Sequence, residues 1–359
     1  MTNQQKIAVL CNYELLPERV GGMDYFYWMF DEKCKENNLE VDWFFPNTSN
    51  HGDYRKLHIK GSNGKTIESF FIEELKQQNT AYTHIITHFM ELCTPFFKEI
   101  KQISTAKIIA ADHNPRPLNG FPLKKKMVKR LKGLLYANSI DLFVGVSNYT
   151  VHEILKDFGK HLRKKTITVY NGVLLDDIKE RENRNVVKPT FLVASHLRQS
   201  KGIQDLIEAV SQLPVAVKSA IKIDVYGDGP YKDVLIQKVN ELHLVDVFTF
   251  KGSQANLKEI YCLYDYMLQP THMECFSLSI LESLAANVPV ITTNVGGNEE
   301  VVTNNVNGFI YEAKDIEQLT LLLEEVYAGN KKITGNTRKL MEDRFTINKM
   351  VNEYLQILN

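Results

Sequence analysis

Two glutamates eight residues apart, Glu274 and Glu282, mark the stretch of sequence best suited to chemistry. They flank the start of a helical pattern, so that Glu274 precedes the helix and Glu282 lies in its second turn. The unpaired N–H groups at a helix N-terminus, here those of Phe276, Ser277 and Leu278, form a ready anion site. We expect a phosphate there, with the two carboxylates beside it binding hydroxyl groups. The simpler alternative is a helix cap at Glu274 and a surface position for Glu282.

Three cationic side chains follow another apolar run of the sequence. His196, Arg198 and Lys201 lie in the loop between this run and the next helical pattern. Fixed positive charges at such a place can neutralise a diphosphate, which is what a departing nucleotide needs. A solvated loop without a ligand is the alternative interpretation.

Glycines and histidines occupy further positions just after predicted strands. Gly21 and Gly22 precede a helical pattern, and paired glycines let a backbone approach a phosphate closely, although they also occur in plain turns. His88 and His113 each end a predicted strand, where an imidazole can donate to a hydroxyl or carbonyl group. A structural histidine is the alternative for either. The glycines do not form GxGxxG, which argues against a dehydrogenase.

A rival phosphate motif, GSNGKT, occupies residues 61–66 and nearly reproduces a P-loop. It resembles the short form found in amino-acid ligases of cell-wall synthesis. The eight-residue pattern needs glycine where Ile59 stands, and the preceding segment is too charged for a central strand. Asp112 is the only candidate for a magnesium-binding aspartate after a strand. A turn between two edge strands accounts for the glycines.

The elements that must position these residues follow an alternating pattern. Short Val-, Ile- and Phe-rich runs, typical of strands buried on both faces, alternate with helical patterns such as 202–213, 231–242 and 315–329. Such alternation predicts parallel α/β sheets, and ten strands in two series predict two doubly wound domains. The predicted strands are 6–12, 83–89, 106–113, 141–147, 166–172, 190–195, 221–227, 247–252, 265–270 and 288–293.

The segment around 171–189 is charged, lacks an apolar run and falls between the two strand series. We predict a first domain over 1–172, a linker over 173–189 and a second domain over 190–340. The last segment, 341–359, has the pattern of a terminal amphipathic helix.

Composition restricts the class of protein. The 359 residues are 44 % hydrophobic and 24 % charged, as in a globular protein rather than a disordered or collagen-like chain. The 43 basic residues balance the 43 acidic residues, which gives no argument for nucleic-acid binding. Five scattered cysteines show neither zinc-site nor disulfide-scaffold spacing. Neither a signal peptide nor a membrane-spanning run is evident, and we expect a cytoplasmic protein.

Basic residues are concentrated in PLKKKMVKRLKGLLY (122–136), interleaved with apolar residues at helical spacing. The first 172 residues carry 24 Lys and Arg against 18 Asp and Glu. A basic amphipathic helix can lie on an anionic membrane surface or face an anionic acceptor. A solvated helix face is the alternative.

Taken in order, these motifs resemble one family, the GT-B retaining glycosyltransferases of glycosyltransferase family 4. The resemblance covers nearly the whole chain. It rests on Gly21-Gly22, His88, His113 in ADHN, VSNYT (146–150), YNGV (170–173), KGI (201–203), YGDGP (226–230), FKGS (250–253), Glu274 with Glu282, VPVI (288–291), GGNEE (296–300) and NGF (307–309).

The resemblance implies two Rossmann-like domains whose parallel sheets face a central cleft, with the terminal helix crossing back to the first domain. It implies that Lys201 and a nearby cation bind the diphosphate of a nucleotide sugar. Because His196 stands where the family usually carries arginine, His196 and Arg198 both remain candidates for that cation.

Further roles follow from the same resemblance. The amides of Ser277 and Leu278 and the backbone of Gly22 would support the phosphates. Glu282 would bind the ribose and Glu274 the donor sugar. The remaining roles fall to His113, which would reach the donor sugar from the first domain, and to Lys251 and Gly252, which would lie near the base.

The implied reaction moves a sugar, with retention, from a nucleoside-diphosphate sugar to a hydroxyl of a glycan or lipid-linked acceptor. No DxD motif is evident, so no obligatory metal or other cofactor is expected, and a UDP-sugar is favoured over a GDP-sugar. We expect a role in bacterial cell-surface polysaccharide or glycoconjugate synthesis, at the inner face of the membrane if the basic segment docks there.

Three other classes share parts of this pattern. A GT-B sugar-nucleotide epimerase would use the same nucleotide site without an acceptor. A glycosidase would also use two carboxylates but would not need Lys201 or glycine-rich phosphate loops. A non-catalytic sugar-binding protein would be expected to lose the cations or Glu274, and both are present.

Overall fold

A computed structural model of the chain describes residues 5–17, 20–77, 81–185 and 187–358. The chain divides into two compact units. Unit 1 combines Met1–Asn171 with Ile347–Asn359, and unit 2 is Gly172–Thr346. Each unit is a doubly wound α/β layer structure, and the predicted fold class, two Rossmann-like domains with parallel sheets, is confirmed.

The described residues of unit 1 form seven strands whose neighbours all run parallel. Their bounds are β1 (Gln5–Cys11), β2 (Leu39–Phe45), β3 (His58–Gly61), β4 (His84–His88), β5 (Lys107–Asp112), β6 (Leu142–Gly145) and β7 (Thr166–Thr168). The strand order is β3-β2-β1-β4-β5-β6-β7. The chain first adds strands on one side of β1 and then, from β4 onward, on its other side. Ligands of such sheets bind beyond the carboxyl ends of the strands at this reversal.

In the described part of unit 1, six helices cover the sheet: α1 (Gly22–Glu36), α2 (Ile67–Gln77), α3 (Pro95–Ile103), α4 (Leu123–Tyr136), α5 (Asn148–Phe158) and α13 (Ile347–Ile357). Their ends follow local chemistry. The Ser147 hydroxyl accepts from the Thr150 amide and begins α5, and Gly159, at φ 135°, ends it.

The C-terminal helix α13 is part of unit 1 because aromatic residues fix it to α1. The ring centroid of Tyr354 lies 5.1 Å from that of Phe26 and 6.2 Å from that of Phe30. All three side chains are fully buried. The return of the chain end to the first unit therefore agrees with the sequence analysis.

The residues that the structure describes in unit 2 form six parallel strands in the order β10-β9-β8-β11-β12-β13. Their bounds are β8 (Phe191–Ala194), β9 (Ile223–Tyr226), β10 (Phe248–Gly252), β11 (Tyr266–Gln269), β12 (Val290–Thr293) and β13 (Gly308–Tyr311). The helices are α6 (Ile203–Ser211), α7 (Val215–Lys218), α8 (Lys232–Glu241), α9 (Leu257–Ile260), α10 (Leu278–Ala285), α11 (Ile316–Tyr327) and α12 (Arg338–Arg344). Aliphatic side chains of α6, α8 and α11 bury one face of this sheet.

The segment predicted as a linker, 173–189, lies in unit 2 instead, because its arginines bond to buried acceptors there. Arg181 donates to the carboxylate of Asp265 at 2.6 Å, and Asp265 is completely buried. Arg184 donates to the carbonyl of Asn287 at 3.2 Å. The charge that suggested a solvated linker therefore ties the segment to the second sheet.

The terminal segment 341–359 is also divided differently from the prediction. It contains the end of α12 and the whole of α13, with Phe345 and Thr346 between them, so the single predicted helix is two. The boundary between the units falls at this break, which leaves α12 in unit 2. In the parts of the chain that the structure describes, no helix has both the length and the apolar character to cross a bilayer.

The GSNGKT segment joins the edge strand β3 to α2, rather than joining two edge strands as predicted. Gly64, at φ 95°, forms the turn. The Lys65 ammonium lies 2.5 Å from the carboxylate of Glu73 on α2. A P-loop lysine would instead have to face a phosphate, so the ligase interpretation gains no support from this loop.

Candidate active site

The start of α10 forms the centre of the site in unit 2. The Ser277 hydroxyl accepts from the Ile280 amide and so begins the helix, while Gln269, at the end of β11, donates to the same hydroxyl at 2.6 Å. This bond ties the helix start to the carboxyl end of a central strand. The first turn, which contains Leu278, therefore presents its backbone amides at the ligand edge of the sheet.

Lys201 and Glu274, both selected from the sequence, meet in unit 2. The Lys201 ammonium lies 2.8 Å from a carboxylate oxygen of Glu274, and both side chains are partly buried. The other oxygen of Glu274 accepts from the amide of Cys275 at 3.1 Å. Because β8 and β11 are neighbours in the sheet, the loops that follow them bring together residues 73 positions apart.

Two glycines allow these loops to approach each other. Gly202 has φ +68°, and a Cβ there would lie 1.7 Å from the carbonyl oxygen of Pro270. Gly296 has φ +67°, and a Cβ would lie 2.3 Å from the carbonyl oxygen of Glu274. Both positions have a backbone conformation that favours glycine, and at both of them the side chain of any other residue would clash with the neighbouring loop. These glycines belong to the KGI and GGNEE motifs of the sequence, but their contacts with Pro270 and Glu274 could not be predicted from it.

A hydrogen-bonded pair that the sequence analysis missed supports the same loops. His272 Nε2 lies 2.6 Å from a carboxylate oxygen of Asp205, which is in the first turn of α6. The His272 amide donates to the carbonyl of Ser200 at 2.8 Å. The pair thus joins the Lys201 loop to the Glu274 loop. Sequence offered one signal for it, a histidine shortly after a strand-ending proline.

Glu282 lies in the second turn of α10, as predicted. It accepts a hydrogen bond from the Tyr261 hydroxyl at 3.0 Å. Burial raises the pKa of Glu282 from 4.5 to about 7, and the bond from Tyr261 lowers the pKa in part. Burial therefore makes the ionised carboxylate unfavourable in free energy. A ligand hydroxyl that donates a hydrogen bond to it would reduce this penalty.

This burial predicts a pH-dependent effect of Glu282→Gln. Because the pKa is raised on folding, the carboxylate destabilises the folded state above pH 7, and the penalty disappears as the pH falls toward 4.5. We expect Glu282→Gln to raise the free energy of unfolding by about 1–3 kcal/mol at pH 8 and by much less at pH 5. Urea unfolding at the two pH values measures the difference.

Glu241→Gln serves as the matched control, since Glu241 is an exposed carboxylate at the end of α8 in the same unit. It should change stability little and equally at both pH values. A Glu282→Gln effect that is the same at pH 5 and pH 8 would show that the substitution acts through packing and not through the carboxyl proton.

The remaining candidates of unit 2 lie around these loops. Arg198 and His196 are both exposed, and the structure does not favour either as the second cation. Lys251 lies 3.4 Å from the carboxylate of Asp224. Gly252, at φ +70°, accepts at its carbonyl from the amide of Gly227, which joins the FKGS and YGDGP loops.

Phe276 lies between Glu274 and the helix start, and is buried. Its ring centroid is 5.5 Å from that of Phe345. This contact anchors the loop to the segment that follows α12. The backbone of Phe276 therefore lies next to the N-terminus of α10, while its side chain packs against Phe345.

Unit 1 presents its own candidates at the carboxyl ends of β1, β4 and β5. Gly22 begins α1, and the Gly21 amide donates to the buried carboxylate of Asp24 at 2.8 Å. Among the residues that the structure describes, none has an atom within 4 Å of where a Cβ on Gly21 would lie. The tyrosine hydroxyl of Tyr54 also donates to Asp24, at 2.5 Å, which fixes this helix start.

His88 and His113 are brought together, as expected for the ends of adjacent strands. Nδ1 of His88 lies 3.0 Å from Nε2 of His113. Burial lowers the pKa of His113 to about 3, and burial with the neighbouring imidazole lowers the pKa of His88 well below 6.5. Both rings are therefore neutral at pH 7, and a neutral imidazole offers one donor and one acceptor.

Phe89, which the sequence analysis did not select, holds the His113 ring. The two rings stack with centroids 4.1 Å apart. Phe89 has φ +57°, a backbone conformation that costs a non-glycine residue about 1–2 kcal/mol. Nothing in the residue type indicates this contact, which only the turn after β4 creates.

Among the residues that the structure describes, no group of three or more His, Cys, Asp or Glu side chains is arranged to hold a metal ion. The carboxylates of the site have other partners: Glu274 pairs with Lys201, and Glu282 accepts from Tyr261. The donor set thus consists of cations, backbone amides and separate carboxylates.

Sequence comparison shows that the chain is similar to known glycosyltransferases. Residues 176–341 match the family model for glycosyl transferases group 1. N-acetyl-alpha-D-glucosaminyl L-malate synthase of Bacillus anthracis is 28 % identical over 60 % of this chain and 58 % of its own length. An uncharacterized glycosyltransferase of Methanocaldococcus jannaschii is 25 % identical over 98 % of this chain and 97 % of its own. The first curated relatives are matched over about three fifths of their length.

Solved structures resemble the whole chain. The Anabaena protein HepE, in complex with UDP and glucose, superposes with a TM-score of 0.77 at 17 % identity, covering 99 % of both chains. Sucrose-phosphate synthase of Thermosynechococcus elongatus gives a TM-score of 0.77 at 17 % identity, covering 98 % of both chains. Residues 176–341 therefore form a domain of the glycosyltransferase group 1 family, within a chain that has the GT-B fold.

Proposed function

We propose that the protein is a retaining glycosyltransferase that moves a sugar from a nucleoside-diphosphate sugar to a hydroxyl of a glycan or lipid-linked acceptor. The observation that carries the proposal is the Lys201–Glu274 pair beside the start of α10. A cation for a diphosphate, amides for its oxygens and a carboxylate for sugar hydroxyls lie within the segment that matches the family model. Unit 2 would be the donor domain and unit 1 the acceptor domain.

The chemistry of the transfer explains why these groups are needed. Breaking the anomeric C–O bond builds positive charge on the sugar and negative charge on the departing diphosphate. Lys201, a second cation from His196 or Arg198, and the amides of Ser277 and Leu278 would stabilise that negative charge. These groups are held in place before the reaction, so little reorganisation is required.

The other candidates would orient the donor. Glu282 would accept from the ribose hydroxyls and Glu274 from hydroxyls of the sugar. The neutral His113 ring would offer a hydrogen bond to the donor sugar, and the backbone at Gly22 would support the phosphates. The acceptor hydroxyl would attack the anomeric carbon from the leaving-group side, and the departing phosphate would take its proton.

We favour UDP as the nucleoside diphosphate of the donor. The support comes from the Anabaena protein HepE, whose structures contain UDP, UDP with glucose, or UDP-glucose. We propose no obligatory metal, because cations and helix amides would carry the diphosphate charge.

We further propose a role in making cell-surface polysaccharide or glycoconjugate. Two proteins of similar fold are connected with lipopolysaccharide. One is WaaB, the lipopolysaccharide outer core galactosyltransferase, and the other is WaaG, a glycosyltransferase involved in lipopolysaccharide biosynthesis. A cytoplasmic protein at the inner face of the membrane, with residues 122–136 toward the lipid, would meet such acceptors.

A thermal-shift panel tests the donor assignment. The panel contains UDP, GDP, ADP and ATP with matching sugar nucleotides, each with and without EDTA. We expect UDP to raise the melting temperature by the same amount in both conditions, since ligand binding to the folded state stabilises it. Stabilisation by GDP alone would reassign the base, and stabilisation only by ATP with magnesium would favour the GSNGKT ligase instead.

Product analysis then separates a transferase from an epimerase. A transferase consumes UDP-sugar and releases UDP in proportion to the glycosylated acceptor. Conversion of the UDP-sugar to its epimer without an acceptor would overturn the proposal while leaving the nucleotide site intact.

A further inference from the structure

Helix α4 of unit 1 is amphipathic, but its apolar face is turned to solvent and not to the core. Its large apolar side chains are turned to solvent, with exposed fractions of 78 % for Leu123, 71 % for Met127 and 64 % for Leu134. Leu131, Leu135 and Val128 of the same helix are exposed as well. Positions 123, 127, 131 and 134 share one face of a helix. Ordinary surface helices bury this face.

The opposite side of α4 is fixed to unit 1 through cations. Lys129 lies 3.0 Å from the buried carboxylate of Asp157, and its ammonium is 4.7 Å from the ring centroid of Phe121. Lys132 lies 2.6 Å from Glu91. Gly133 is the buried residue of the helix, and a Cβ there would lie 2.2 Å from the carbonyl oxygen of Phe158. These contacts determine which side of α4 faces outward.

Cationic side chains border the exposed apolar face. Lys124, Lys126 and Arg130 are exposed, and α4 contains no acidic residue. An apolar strip next to lysines and arginine suits the boundary between anionic headgroups and acyl chains, where the apolar face is buried and the cations meet phosphate.

We propose that the α4 face formed by Leu123, Met127, Leu131 and Leu134 docks on the surface of an anionic lipid bilayer. The helix would lie in the plane of the interface, with its apolar side chains inserted between the headgroups. The proposal rests on the function proposed above and deepens it by naming the side chains within 122–136 that enter the membrane. Its test uses α4 and requires no knowledge of donor or acceptor.

A second copy of this chain is the main competing occupant of the face. Two such faces would bring two sets of exposed cations together without any acidic residue of α4 to pair with them. Repulsion between like charges opposes that arrangement, whereas anionic lipid neutralises it. The charge of the helix therefore favours the bilayer.

Vesicle co-sedimentation of the full chain tests the proposal. We expect binding to phosphatidylcholine vesicles that contain about one third phosphatidylglycerol, and binding at least about tenfold weaker to phosphatidylcholine alone. The triple variant Leu123→Ser, Met127→Ser, Leu131→Ser should weaken binding to the anionic vesicles by at least about a hundredfold. Because these side chains are exposed, the variant should melt like the wild type.

A control triple variant removes three equally exposed valines from unit 2: Val215→Ser, Val245→Ser and Val306→Ser. It should bind the vesicles like the wild type. A second variant, with Lys124, Lys126 and Arg130 each changed to Glu, should lose the preference for anionic lipid.

Two results would overturn the proposal. One is equal vesicle binding by the wild type and the α4 serine variant, which would place any membrane contact elsewhere. The other is absence of vesicle binding together with a wild-type dimer in sedimentation velocity that the serine variant lacks, which would identify the face as an interface between two copies. UDP binding, measured in parallel, tests the transferase proposal separately, since the α4 variants leave the donor candidates unchanged.

Discussion

Glu274→Gln is expected to reduce sugar transfer by at least about a hundredfold while leaving the binding of free UDP intact or tighter. In the structure one oxygen of Glu274 pairs with Lys201 at 2.8 Å. The glutamine keeps the shape of the side chain but loses the charge that binds sugar hydroxyls as the anomeric centre becomes positive. It also releases Lys201 for the diphosphate. Free UDP should therefore bind up to about fivefold more tightly, the magnitude of a partly exposed ion pair.

The measurement pairs product formation from UDP-sugar with isothermal titration of free UDP. Glu208→Gln is the matched control, because Glu208 pairs with Lys238 at 2.6 Å in the same unit and neither residue belongs to the site. That variant should change neither quantity. Lys201→Met, unlike Glu274→Gln, should weaken UDP binding by about tenfold or more, and it should reduce transfer as well, since Lys201 would stabilise the departing diphosphate.

A joint loss of transfer and UDP binding in Glu274→Gln would contradict the proposed role. It would mean that Glu274 holds the loop before α10 in place, and that the sugar is bound elsewhere. Full transfer activity would remove Glu274 from the site altogether. Melting curves of each variant separate these results from unfolding.

Much of the fold was predictable because buried parallel strands have a simple sequence pattern. All ten apolar runs identified in the sequence contain strands. The three strands that were missed, β2, β3 and β13, depart from the pattern. β2 carries the buried Asp42, whose pKa is lowered although burial opposes this, because Tyr82, His58 and Lys6 donate to it. A charge satisfied by distant partners cannot be recognised locally.

The candidate site was predictable to the extent that strand ends converge. Lys201 with Glu274, and His88 with His113, each follow neighbouring strands and are in contact. What the sequence could not supply is the lateral support. His272 and Asp205 meet across 67 residues. Their pairing depends on how the loop after β11 folds over α6, which no local spacing encodes.

The segment 173–189 shows the same limit from the opposite direction. Its charge density predicted a solvated linker, but Arg181 and Arg184 bond to groups of unit 2. A charged segment is solvated only when no buried acceptor lies within reach. Asp265 is such an acceptor, since it is fully buried and receives Arg181 along with the amide and hydroxyl of Thr190.

Gly202→Ala is expected to destabilise unit 2 by about 2–5 kcal/mol and to weaken UDP binding at the same time. The alanine would have to adopt φ +68°, at a cost of about 1–2 kcal/mol. Its Cβ would also lie 1.7 Å from the carbonyl oxygen of Pro270. Backbone must move to relieve that clash, which adds about 1–3 kcal/mol. Urea unfolding followed by circular dichroism measures the sum.

Gly252→Ala separates the two contributions, because Gly252 has φ +70° in the same unit, but a Cβ there would meet no atom of the described residues within 4 Å. It should cost only the conformational part. The difference between the variants is then the free energy of the clash between residue 202 and Pro270. Since the Pro270 loop continues to Glu274, its displacement should also separate Glu274 from Lys201 and lower UDP affinity. Equal destabilisation by the two variants would mean that the loops separate freely, and that their close approach does not hold the site together.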